Sequence, residues 1–88
     1  MSLTFPNRSR SYDEAGRRIR FVGHDGMFQI SFSVAADAMT KIQPRTSANE
    51  AGYLATFDTE SSAIRDVASK AYGRTHKSMY VLTADDFG

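Results

Sequence analysis

The sequence contains no cysteine. That absence excludes disulfide bridges, zinc–thiolate sites and thiol catalysis. No apolar run approaches the ~18 residues of a membrane span. Residues 1–16 hold no apolar stretch of signal-peptide length. A cytoplasmic protein with no membrane partner is therefore expected. Charge of one sign is also missing: the net charge is +1, which sets no overall bias toward nucleic acid or lipid. There is no glycine-rich phosphate loop, because Gly23-His24-Asp25-Gly26 reads as a turn and not as a strand-to-helix junction. Serines are plentiful, among them Ser31, Ser33, Ser61 and Ser62, but none stands in a nucleophile elbow. The adjacent carboxylates Asp13-Glu14 and Asp85-Asp86 fall in a surface turn and a tail. Without a catalytic constellation, the expectation is a protein that is not an enzyme and that uses no cofactor and no metal.

What is there is a hairpin over residues 17–34, turning on Asp25-Gly26. Asp-Gly between two alternating runs favours a two-residue type I′ turn, which needs φ > 0 at both central positions. That turn would set His24 opposite Met27, Phe21 opposite Ile30 and Ile19 opposite Phe32. Side chains alternate across a strand, so Ile19, Phe21, Phe28, Ile30, Phe32 and Val34 share one face. The opposite face displays Arg18, Arg20, Val22 and His24, with Met27, Gln29, Ser31 and Ser33.

Before the hairpin, Leu3 and Phe5 suit a brief edge strand ended by Pro6, and Tyr12 suits a short strand leading into a turn over 12–16. After it the period changes. Ala35, Ala38, Met39 and Ile42 fall on one helical face over 35–43, and Pro44 ends that helix. Ser47-Ala48-Asn49-Glu50 has the pattern of a capping box. Leu54, Phe57, Ser61, Ile64, Ala68 and Ala71 then follow at alternating spacings of three and four. This predicts one long helix over 48–73, straight or kinked at the weak stretch 58–62, where Asp58 would cap a second helix if it breaks. Gly73 is placed as the residue just past its end. Residues 78–83 form the last strand, apolar on both faces, which suggests neighbours on each side or an edge covered by the tail. The acidic end 85–88 is expected to fray. The assembled expectation is a single α+β domain over residues 1–88: a two-layer fold with an antiparallel sheet of three or four strands, one short and one long helix packed on one face. Its core comprises Ile19, Phe21, Phe28, Ile30, Phe32, Val34, Leu54, Phe57, Ile64 and Leu82.

Candidate binding residues follow from the charge distribution. Residues 1–20 carry five arginines against two acids, residues 21–60 carry net −3, and residues 61–88 carry net +1. The uncovered sheet face would present Arg18, Arg20, His24 and Gln29, with Arg8 and Arg10 from the preceding segment nearby. A basic sheet face binds phosphates, or simply stays solvated and blunts edge-to-edge aggregation. Base-stacking aromatics are missing from it, because Phe21 and Phe28 are assigned to the buried side. His24 and Asp25 are adjacent on a strand, point to opposite faces and do not close as a catalytic pair. His76, in the loop 74–77, lies far along the chain from His24, so the two lack the spacing of a ligand set.

Several blocks together resemble the small proteobacterial proteins grouped as domain of unknown function 1488. They are Phe5-Pro6-Asn7-Arg8-Ser9-Arg10-Ser11-Tyr12-Asp13, Arg20-Phe21-Val22-Gly23-His24-Asp25, Ile30-Ser31-Phe32, Asp37-Ala38-Met39, Ile42-Gln43-Pro44, Glu50-Ala51-Gly52, Ala71-Tyr72, and Tyr80 with the terminal Asp86-Phe87. The resemblance covers nearly the whole chain. It implies a stand-alone bacterial domain of this size and assigns no catalytic or binding residues. The leading expectation is a non-enzymatic module that binds protein, as a homodimer or with another small partner. The alternative is a nucleic-acid-associated regulator using Arg8, Arg10, Arg18 and Arg20. A small hydrolase or metal-dependent enzyme around His24 and His76 is the third.

Overall fold

The structure, a computed structural model, describes residues 3–5 and 10–87. Pro6, the polar stretch 7–9 and Gly88 lie outside the described residues. The elements run β1 (Arg10–Asp13), β2 (Arg18–Asp25), β3 (Phe28–Ala35), α1 (Ala36–Ile42), α2 (Glu50–Thr59), α3 (Ser61–Thr75) and β4 (Met79–Leu82), then a 3-10 helix over Ala84–Phe87. The four strands form one sheet in the order β1-β2-β3-β4. The α+β class and the two-layer arrangement are as the sequence predicts.

The hairpin forms, with its register displaced by two residues. His24 faces Gln29, Phe21 faces Phe32, and Ile19 faces Val34. The two central residues are Gly26 and Met27, and only Gly26 has positive φ (+61°). A type II′ turn needs φ > 0 at its first central position alone, so glycine takes that place and Asp25 is spared the left-handed region. Because the displacement is an even number, every side chain keeps its face. Ile19, Phe21, Ile30, Phe32 and Val34 are all buried. Phe28 is the exception: it lies at the hairpin tip and is 73% exposed.

Strands β1 and β2 pair antiparallel, as do β2 and β3, but β4 runs parallel to β3. The sheet is therefore mixed and not wholly antiparallel. The cause is the connection: three helices intervene between β3 and β4, and such a crossover returns the chain to the end of the sheet where β3 began. Strand β4 ends the sheet order, so it has one strand neighbour and not two. Thr4 forms a short bridge with His24 (amide to carbonyl 2.8 Å both ways), so Leu3 and Phe5 extend the β1 side of the sheet. Gly23 faces inward among the buried residues. A Cβ there would stand 3.0 Å from atoms of both Leu3 and Phe5, so the missing side chain makes room for them.

The helices cover the inward face. Asn49, not Ser47, caps α2, its side chain accepting the Gly52 amide at 2.8 Å. The long helix is two. Glu60, with φ −101° and ψ 17°, separates α2 from α3, and Asp58 caps neither. The break lets Tyr53, Thr56 and Phe57 of α2, and Ile64, Ala68 and Tyr72 of α3, turn inward, leaving Leu54 only half-buried. Helix α3 continues through Gly73 to Thr75, and His76 takes the left-handed conformation at its end (φ 46°). The tail is folded: Asp86 accepts the Thr83 amide at 2.7 Å, and Phe87 packs against the core.

Phe32 is 1% exposed and lies within ring contact of Phe5, Phe21 and Tyr80. Truncation to alanine leaves a cavity, so Phe32→Ala should cost about 3–5 kcal/mol in chemical denaturation. Phe28→Ala should stay within about 0.5 kcal/mol. Equal losses at the two positions would contradict this core.

Candidate functional site

The two faces of the sheet differ. One is roofed by α2 and α3. The other bears Arg18, Arg20, Val22 and His24 from β2, Gln29, Ser31 and Ser33 from β3, and Met79 and Val81 from β4. No described element covers it. A shallow depression of about 250 Å³ lies on this face between Arg18, Arg20, Val22, Ser31, Met79 and Val81.

Four of the six sequence-predicted site residues share this face: Arg18, Arg20, His24 and Gln29. Arg8 lies outside the described residues. Arg10 does not join them. It pairs with Phe21 on the helix-covered side of β1, and its guanidinium grips the Asp58 carboxylate with two bonds of 2.8 Å. That bond holds Arg10 above its ordinary pKa and Asp58 below the usual carboxylate range. Arg10 therefore ties β1 to α2.

The two arginines on the open face are also engaged. Asp13 stands opposite Arg18 in the β1–β2 register; its carboxylate accepts from Arg18 Nε at 3.1 Å and lies 3.7 Å from Arg20. The Gly16 amide also donates to it (3.1 Å). The Gly16 bond first, and then Arg18, pull the Asp13 carboxyl below its ordinary range. One carboxylate thus partly balances two guanidiniums. Two apolar side chains also stand open on this face: Met79 is 67% and Val81 56% exposed. The sequence places both on one side of the last strand, but it carries no signal that this side is bare.

The histidines do not meet. His24 points to the open face, whereas the His76 ring sits edge-on to Tyr72 in the helix layer (5.0 Å). Asp25 turns away from His24, as strand alternation requires, and accepts the Tyr72 hydroxyl at 2.5 Å. That bond, with burial, raises the Tyr72 pKa. Among the described residues, no three His, Asp or Glu side chains are grouped to hold a metal ion. Among the described residues, no helix is long and apolar enough to cross a membrane.

A small α+β domain with one roofed and one bare sheet face is the class this architecture defines. The chain belongs to the family described as "Protein of unknown function (DUF1488)", whose model matches residues 3–82. No curated protein and no solved structure matches it.

Asp13 and Asp58 both ionise more readily in the folded chain than in the unfolded one. Each therefore adds stability above the unfolded carboxylate pKa of about 4, and that stability is lost as pH falls through the lower folded values. Thermal unfolding followed across acid pH should show Asp13→Asn plus Asp58→Asn flattening the decline in Tm below about pH 4. An unchanged acid slope would show that neither carboxylate is engaged.

Proposed function

We propose that this domain is a non-enzymatic protein-binding module whose working surface is the bare sheet face, with self-association as its simplest form. One observation carries the reading: Met79 and Val81 lie exposed on a regular strand beside arginines whose charge Asp13 already partly meets. A rigid sheet surface with an apolar centre and a polar rim suits a protein partner. A phosphate-binding surface needs several unpaired cations, because each neutralised phosphate adds its own counterion release. Arg10 and Arg18 have carboxylate partners. Arg20, 57% exposed in its side chain and only loosely placed beside Asp13, supports nucleic-acid binding as the second reading.

Sedimentation velocity separates the two. The chain should sediment faster as its concentration rises, and Met79→Asp plus Val81→Asp should return it to a monomer with an unaltered melting curve. A strict monomer at every concentration, with no partner retained, would overturn the first reading. Salt-dependent retention on DNA or RNA that Arg18→Glu plus Arg20→Glu abolishes would establish the second.

A further inference from the structure

Ser31 donates its amide to the Ser78 carbonyl at 2.9 Å. In a parallel ladder this bond fixes which backbone groups of β4 face β3. Those of Tyr80 and Leu82 bond inward, and those of Met79 and Val81 point out from the sheet. The next outward amide, that of Thr83, is taken by the Asp86 carboxylate. The free edge is therefore two residues long and flanked on one side by its own stop. It carries no proline and no charge, the usual devices that keep an edge from pairing. No backbone partner for Met79 or Val81 on that side occurs among the described residues.

Building on the bare face as a protein-binding surface, we propose that the edge of β4 pairs with the same edge of a second copy of this chain, antiparallel and centred on Tyr80. The two-fold sets Met79 opposite Val81 of the second copy and Val81 opposite its Met79. Each pair exchanges two backbone bonds, so all the free groups of the edge are met at once. The same pairing gathers two methionines and two valines into one apolar strip on the bare face. The flanking charge selects the direction. Arg74 and Lys77 lead into β4, and Asp85 and Asp86 follow it. Antiparallel pairing brings each basic end alongside the acidic end of the second copy, whereas parallel pairing sets like charges together. The pairing is only two residues long on each copy, so assembly is weak and depends on protein concentration.

The chain has no cysteine, so introduced thiols report the pairing without competition. Met79→Cys and Val81→Cys are prepared as separate proteins and oxidised alone and mixed. Residues opposite each other in such a ladder have Cα atoms about 5.5 Å apart, within disulfide reach. The mixture should give a disulfide dimer joining position 79 to position 81, and neither protein alone should cross-link at a comparable rate. Val81→Pro removes an outward amide and leaves the bonds to β3 intact, as proline does on edge strands. It should keep the wild-type circular dichroism and lose concentration-dependent sedimentation. If the wild-type chain assembles but the mixed disulfide is not favoured, the edge pairing is overturned and the bare-face reading stands. If the chain does not assemble at all, the edge pairing falls, and the bare-face reading falls with it unless another protein partner is retained.

Discussion

The pairing of β2 with β3 is the constraint on which the rest depends. Phe21 and Phe32 stand directly opposite, with ring centroids 5.1 Å apart, and Phe57 of α2 and Phe5 of the N-terminal segment close over them. Cross-strand aromatic pairs of this kind stabilise a sheet beyond the area they bury. Once they face inward, alternation leaves no choice for the odd residues of β3 or the even residues of β2. Arg18, Arg20, Val22, Ser31 and Ser33 must face outward. The bare face is thus a consequence of the same register that builds the core.

Charge then decides what the bare face is. Two arginines that a linear reading groups with it have structural partners. Arg10 holds β1 against α2 through Asp58, and Arg18 closes the β1–β2 turn through Asp13. Asp58 lies where α2 meets β1, and Asp13 lies at the turn between β1 and β2. The face keeps the charge of one arginine unbalanced, and Met79 and Val81 stand exposed beside it. On the proposed reading, such a surface gains by excluding water against another protein more than by attracting phosphate.

Much of this was legible in the sequence because alternation is a strong local signal. The core of β2 and β3, the helical faces and the solvent-facing arginines were readable from spacing. The turn was misplaced because Asp-Gly and Gly-Met both supply a glycine, and only the cost of a left-handed Asp25 separates them. Ser47 and Asn49 both have side chains that suit a cap, and it is Asn49 that accepts the Gly52 amide. The parallel alignment of β4 had no local signal, since the chain direction there is set by three helices jointly. The Arg10–Asp58 bond spans 48 positions and was equally silent. Phe28 has the right parity for the core but lies at the hairpin tip, beyond the packed layer, and is 73% exposed. Apart from the turn, tertiary position and not residue type settled these.

The central claim is that β4 presents two unpaired backbone positions at the margin of a bare sheet. Amide hydrogen exchange reads this residue by residue. In dilute solution Tyr80 and Leu82 should be protected while Met79 and Val81 exchange freely, and raising the protein concentration should slow Met79 and Val81 alone. Met79 and Val81 amides protected at every dilution, or unprotected at every concentration, would contradict the account.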